Sequence, residues 1–339
     1  MSSSELKGVL IGAGFFAGFQ AEAWRRIPSV KIVAVADPLL SKAEQFAAQW
    51  QIPKTYADAE AMLHAERPDF VDIVTRPDTH LALTTLAAQH GAHVICQKPM
   101  APTWNECQQM MAACRQAGVR LLIHENWRWQ PWYREIKRLL EQDRLGRLFH
   151  LGLRVRLGDG RGAEPYAVQP YFRDMPRLLI YETAVHFLDT FRYLAGEIKT
   201  LFCATQRINP AICGEDYALI QATFLNGVRG LIDANRIAGP VPSPVAFGTL
   251  TAEGERASLR MTPDGDLFIT DYGVAEQPHE FSKPDSGYKG DSVYAAQQHY
   301  ADCLRSGYLC ESEGEAYLPT VEAVQACYES AIVQQVIRL

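Results

Sequence analysis

A short apolar run, Val9-Leu10-Ile11, opens directly onto Gly12-Ala13-Gly14-Phe15-Phe16-Ala17, and a second apolar run, Ile32 to Ala36, stops at Asp37. Few patterns constrain a fold more. They describe a strand, a tight turn, a helix and a second strand with an acid at its tip. Gly12 permits the turn, Gly14 lets the backbone approach a bulky anion, and Ala17 keeps the helix close to the sheet. The amides at the helix start have no partners of their own, and the helix dipole favours negative charge there. The pattern is that of a dinucleotide site. Gly12, Ala13, Gly14, Phe15 and Phe16 are expected around the pyrophosphate and Asp37 at the adenosine ribose.

Asp37 also bears on which dinucleotide is bound. A carboxylate there accepts hydrogen bonds from ribose hydroxyls and repels a 2′-phosphate. Pro38, Leu39 and Leu40 follow, so no arginine stands beside it to hold that phosphate, and the next cation along the chain is Lys42. NAD is expected rather than NADP.

The same rhythm continues. Strand-like runs fall near 8–11, 31–36, 70–74, 93–96 and 120–123, with helical patterns near 15–27, 40–50, 58–65, 79–89 and 103–117. Alternation of this kind predicts an α/β domain with a doubly wound parallel sheet of the Rossmann type. After about residue 126 the texture changes. Helical patterns near 131–142 and 180–194 flank a β-like run at 148–157 and a long stretch rich in glycine and proline. Strand patterns then follow near 199–206, 216–225, 228–237, 246–252, 256–261 and 266–271, with the hairpin signal Asn226-Gly227 among them. These predict an α+β domain on a large, mostly antiparallel open sheet, closed by helices near 291–306 and 319–337. A chain of 339 residues exceeds one core of typical size. The expected division is a nucleotide-binding domain over 1–125 and a substrate domain over 126–339.

Charge and hydropathy exclude several classes. A formal net charge of −6 disfavours a nucleic-acid binder, which needs a basic face. No run of about 18 apolar residues points to a membrane span. Met1-Ser2-Ser3-Ser4-Glu5 lacks the charged and then apolar pattern of a secretion signal, so a cytoplasmic address is expected. Eight cysteines without a Cys-x-x-Cys pair suggest neither a disulfide framework nor a cysteine-based metal site.

In an open parallel sheet, ligands bind beyond the carboxyl ends of the strands. Three stretches occupy such places. One is the glycine turn. The second is Thr75-Arg76-Pro77-Asp78-Thr79-His80, of which Thr75, Arg76, Pro77 and His80 are candidate coenzyme contacts. The third is Gln97-Lys98-Pro99. Gln97 is a further coenzyme candidate, and Lys98 can hydrogen-bond a substrate oxygen and take part in proton transfer.

In the second half, Glu182, His186 and Asp189 share one helix face at i, i+4 and i+7. An acid one turn from an imidazole can orient it and stabilise the imidazolium formed when it accepts a proton, as hydroxyl oxidation requires. With no second cluster of ligand-type spacing, no metal is expected. Asn126-Trp127-Arg128-Trp129 offers aromatic faces for a sugar ring and polar groups for hydroxyls. Asn126 and Arg128 are candidates toward the coenzyme, Arg128 and Trp129 toward substrate. The glycine-rich stretch adds Tyr166, and a strand end adds Asn235 and Arg236.

Taken in order, Gly12-Ala13-Gly14, Asp37, the Pro77/His80 segment, Gln97-Lys98-Pro99, Asn126 with Arg128, the His186/Asp189 helix and the closing Val321-Glu322-Ala323 to Tyr328-Glu329-Ser330-Ala331 resemble the Gfo/Idh/MocA family of oxidoreductases over nearly the whole chain. The resemblance implies NAD(P)-dependent oxidation or reduction of sugars, cyclitols and polyols. It also implies a homodimer or homotetramer formed through the C-terminal sheet. The family's Glu-Lys-Pro lysine maps onto Lys98. Its Asp-x-x-x-His pattern maps onto Glu182 and His186, with a following acid at Asp189; histidine is the usual proposed base and lysine assists. Two departures stand out: Gln97 replaces the common glutamate and Glu182 the common aspartate. Gly14-Phe15-Phe16-Ala17 and His124 to Trp129 are similar to the apiose dehydrogenase branch of the family.

The expected function is NAD-dependent oxidation of a sugar or polyol hydroxyl, the anomeric one giving a lactone, with Lys98, His186 and Glu182 as catalytic residues. Two rivals are an NAD-dependent glycosidase that uses transient oxidation and an NAD-binding sensor without chemistry.

Overall fold

The computed structural model describes residues 5–240 and 242–339. The chain divides into two compact units, Met1–Trp129 with Asp285–Leu318, and Gln130–Pro284 with Pro319–Leu339.

The first unit alternates β1 (Leu6–Ile11), α1 (Phe15–Arg25), β2 (Val30–Ala36), α2 (Leu40–Trp50), β3 (Lys54–Tyr56), α3 (Ala59–Glu66), β4 (Phe70–Ile73), α4 (His80–Gln89), β5 (His93–Gln97), α5 (Trp104–Ala117) and β6 (Leu121–His124). All strand pairs are parallel, in the order β3-β2-β1-β4-β5-β6. The order reverses between β1 and β4, the place where such sheets bind ligands. Local chemistry sets the helix ends. At α5, Thr103 and Glu106 form a reciprocal capping box. At α1, Gly14 is the cap and no side chain satisfies the first amides. Sequence patterning misses the three-residue strand β3, which is too short to show a period.

The second unit contains α6 (Pro131–Glu141), β7 (Leu148–Arg156), α7 (Val185–Ala195), β8 (Ile198–Gln206), β9 (Tyr217–Phe224), β10 (Arg229–Asn235), β11 (Gly248–Gly254), β12 (Ala257–Met261), β13 (Leu267–Asp271) and β14 (Gln277–His279). Its nine strands run β14-β13-β12-β11-β7-β10-β9-β8-β15, where β15 is Ile337–Arg338. Only β7 and β10 pair in parallel. Leu151, Leu153, Val155, Ile220, Ile232, Leu250 and Leu259 are buried. Their strand neighbours Arg154, Thr251 and Arg260 are at least partly exposed. This is the alternation of a sheet with one covered face.

Between these elements and the C-terminus lie α8 (Ser292–Ser306) and α9 (Gly314–Val333). Asp285–Leu318, which holds α8, belongs to the first unit. This departs from the chain-order division at residue 125. The cause is packing: Ala296, Tyr300, Ala301 and Cys303 of α8 join Leu10, Ala17, Trp24, Ile95 and Leu122 in one apolar core. Trp129 is in that core too, so the first unit runs past residue 125.

Candidate functional site

In the first unit the glycine turn fits a dinucleotide on two observations. Gly12 has φ +102°, and a Cβ there would lie 2.5 Å from the Val74 carbonyl oxygen. A Cβ on Gly14 would meet nothing within 4 Å, and α1 begins at this point with its amides uncapped. An anion is therefore accommodated where α1 starts. Asp37 sits at the tip of β2 and holds the turn in shape. Its Oδ2 accepts the Ala13 N–H at 3.1 Å and its Oδ1 the Leu39 N–H at 3.0 Å. Phe15 is exposed and edge-on to Phe19, with ring centres 5.4 Å apart. Phe16 lies edge-on to Tyr288 at 5.3 Å.

Beyond β4, the Thr75 and Thr79 hydroxyls are 2.6 Å apart. Arg76 precedes a short 3-10 turn, Pro77–Thr79, and lies 3.9 Å from Asp78 at the surface. His80 is fully buried, with Nδ1 3.1 Å from the Met100 carbonyl oxygen and Nε2 3.2 Å from that of Thr75. Its ring joins two loops. Burial pushes its pKa down. Lys98 follows β5 and is half-buried. Gln97 is buried, and its side chain is directed inward, to Gln20 of α1 and to the Lys98 N–H.

Three candidates after β6 also serve the scaffold. Asn126 Nδ2 donates to Ser292 Oγ at 2.8 Å. Arg128 Nη1 donates to the Glu311 carbonyl oxygen at 3.4 Å. Trp129, offered above as a sugar platform, packs in the apolar core with its ring centre 4.6 Å from that of His299. Aromatic-rich sequence does not distinguish a ligand face from a core face.

In the second unit, Glu182 lies in a π-helical turn, Leu179–Ala184, which runs directly into α7. Such turns re-aim side chains and recur at functional sites. The Thr183 hydroxyl donates to Glu182 Oε2 at 2.6 Å. Arg236, at the end of β10, organises this end of the unit. It donates to Asp159 through Nε at 3.2 Å and Nη2 at 2.6 Å, and to Thr183 Oγ1 at 2.9 Å, and it lies 3.5 Å from Glu182 Oε2. Its guanidinium covers the Tyr166 ring at 4.7 Å. Burial opposes its charge, but Asp159 and Glu182 outweigh that and its proton is held more tightly than usual.

His186 is buried on the first turn of α7. Asp189 is fully buried and accepts from Thr320 Oγ1 at 3.1 Å. Asn235 Oδ1 takes the N–H groups of Ile237 and Ala238, at 3.1 and 2.7 Å, and so shapes a turn.

Sequence spacing gave no sign of His299, Cys303 and Cys310, whose ligand-type atoms lie within 4.8 Å of one another. His299 Nε2 accepts the Glu311 N–H at 3.0 Å, burial pushes both thiols up, and Arg120 donates to the Cys303 carbonyl oxygen at 2.7 Å. One imidazole nitrogen of this cluster is thus occupied by a backbone N–H, and a guanidinium lies beside it.

Comparison with known proteins decides the family. Residues 6–125 match the model for an oxidoreductase family with an NAD-binding Rossmann fold, and residues 133–260 match the GFO/IDH/MocA C-terminal domain. The chain belongs to the Gfo/Idh/MocA family of oxidoreductases. It is 35% identical to a D-apiose dehydrogenase of Paraburkholderia graminis, over 96% of this chain and 87% of that protein. It is 32% identical to a D-apiose dehydrogenase of Rhizobium rhizogenes, over 98% and 96%. Among solved structures, an oxidoreductase from Agrobacterium radiobacter in complex with NAD+, L-tartaric acid and magnesium superposes with a TM-score of 0.92 at 31% identity, covering 99% of this chain and 98% of that one. This member of the family is an NAD-dependent dehydrogenase of the sugar and polyol group, acting on CH–OH. No described helix is long and apolar enough to cross a membrane.

Proposed function

We propose that the enzyme oxidises a hydroxyl of an aldose, with the anomeric hydroxyl of a branched pentose such as D-apiose as the first substrate to try. The observation that carries this is the match to two D-apiose dehydrogenases over nearly the full chain. Oxidation at the anomeric carbon yields a lactone and one NADH and releases one proton. When bound, NAD+ supplies the hydride acceptor. The glycine turn and α1 hold its phosphates and Asp37 its ribose. Lys98 holds the substrate oxygen and His186 takes up the hydroxyl proton. Glu182, steadied by Arg236 and Thr183 in the turn before α7, and Asp189, on α7 one turn beyond His186, orient that histidine. Tyr166 and Arg128 bind further hydroxyls of the sugar.

The test is NADH formation on a panel of aldoses, polyols and cyclitols, with lactone measured alongside. One NADH per sugar oxidised, with D-apiose or a close pentose preferred, is the expected result. Glycoside cleavage without lasting NADH, or NAD+ binding without turnover on any sugar, overturns the reading. Activity restricted to cyclitols overturns the lactone.

A further inference from the structure

Behind Lys98 lies a line of buried polar groups that neither the fold nor the proposed chemistry explains alone. Asp72 of β4 is fully buried. Trp24 Nε1 donates to its Oδ2 at 2.7 Å, and Gln20 Nε2 approaches its two oxygens at 2.7 and 2.8 Å. Gln20 Oε1 accepts from Gln97 Nε2 at 3.0 Å. Gln97 Oε1 accepts the Lys98 N–H at 2.8 Å. The line starts on a carboxylate that lies among donors and ends on a backbone amide that can only donate.

Two such ends fix every group between them. The Lys98 N–H requires an oxygen from residue 97. The other end of that side chain must then donate, so Gln20 must present its oxygen to it and its nitrogen to Asp72. A carboxylate at position 97 would place oxygen against oxygen at Gln20. Turning the Gln20 amide over would move the same clash to Asp72. Leaving a buried polar group unpaired is costly, and leaving a charged one unpaired more so. Glutamine at 97 thus matches an ionised carboxylate at 72, two hydrogen bonds away.

We propose that Asp72, acting through Gln20 and Gln97, is a positioning residue for Lys98, and that this buried line admits a carboxylate at position 72 or at position 97 but not at both. The positioning part rests on the proposed role of Lys98; the charge exchange between 72 and 97 does not.

The logic makes an unusual demand on a double variant. In D72N/Q97E the introduced carboxylate accepts from Lys98 N–H and from a Gln20 amide turned over. The Gln20 oxygen then accepts from the introduced amide at 72, whose own oxygen still accepts from Trp24. Each of these contacts again joins a donor to an acceptor, and His124 Nδ1, 3.5 Å from the Gln97 nitrogen in the wild type, meets the introduced carboxylate as an N–H donor. The experiment is a four-member cycle of wild type, D72N, Q97E and D72N/Q97E, read at about pH 8.5, where Asp72 is ionised, by thermal unfolding and by steady-state kinetics. Each single variant is expected to lower Tm and to reduce kcat roughly 10- to 100-fold, the scale of a misplaced catalytic group, with KM for NAD+ within about twofold. The double variant is expected to recover most of both losses, a coupling that independent sites do not show. Additive losses in the double variant, or a Q97E protein as stable and active as wild type, overturn the exchange. Recovery of Tm without recovery of kcat overturns the positioning role alone. A wild-type protein without dehydrogenase activity overturns the proposed function, and the Tm cycle still decides the exchange.

Discussion

At the scale of single residues, the site is set by what each side chain touches, and three expectations follow. In G12A the added methyl would meet the Val74 carbonyl oxygen on a backbone with φ +102°. Strain of about 1–3 kcal/mol, if relieved by shifting the turn, weakens NAD+ binding roughly 5- to 100-fold, which isothermal titration would measure. K98A and H186A should each lower kcat by roughly 10²–10⁴. Tight NAD+ binding with near-normal turnover in K98A would remove Lys98 from the chemistry. Asp72 carries a pH signature of its own. Burial, partly offset by Trp24 and Gln20, pushes its pKa from 3.8 to about 7. Between those two values the folded protein holds a proton that the unfolded chain has released. Stability contributed at this site therefore falls as pH rises from about 4 to about 7, and is level above that. The thiol facing it from β5, Cys96, is itself pushed up, chiefly by burial, and stays neutral across this range. D72N removes the titration. The stability of wild type relative to D72N should decline across that interval, by about 4 kcal/mol at most, and denaturant titrations at pH 4.5 and 7.5 would show it. A difference that stays constant would mean that Asp72 titrates normally.

At the scale of elements, the π-helical turn and the end of β10 act as one unit through Arg236. R236M leaves Asp159 and Glu182 without their cation. Breaking a buried ion pair costs about 3–5 kcal/mol. Asp159 keeps 35% of its side chain in water, so a loss at or below the lower end of that range is expected in chemical denaturation. No measurable loss would show the pair to be incidental. These elements also mark what the sequence reveals and what it hides. Every long helix and strand of both sheets is legible, because 3.6- and 2-residue periods persist over enough residues to be read. The short strands β3, β14 and β15 carry no such signal. The glycine turn, Asp37 and Lys98 are legible because turn chemistry and position at a strand tip are local. The scaffold contacts of His80, Trp129 and Asn235 are hidden for the opposite reason: a polar or aromatic residue beside a site has the same local sequence whether it faces ligand or scaffold. Arg236 could be noted only as a strand-end cation. Its partners come from 54 and 77 positions away along the chain. The Gln97 departure, which reads as a lost charge, gains a reason only when Asp72 is placed behind it.

At the scale of the whole molecule, the nine-stranded sheet leaves Arg154, Thr251 and Arg260 on its less covered face. We expect this face to join copies of the chain into a dimer or tetramer. Light scattering of the purified protein checks it, and a monomer at micromolar concentration would refute it. The first unit has a different lesson. Its core takes Ala296, Tyr300 and Ala301 from a helix that the ribosome makes some 170 residues after Trp129. A nascent chain that has just finished the parallel sheet still shows water the apolar strip those side chains cover, so the coenzyme-binding half cannot reach its final form until most of the polypeptide has been synthesised. A fragment ending at residue 129 should aggregate or bind an apolar-surface dye, and a fragment with 285–318 joined to it through a flexible linker should not. The half that binds the coenzyme is thus begun first but completed only once residues 285–318 have been made.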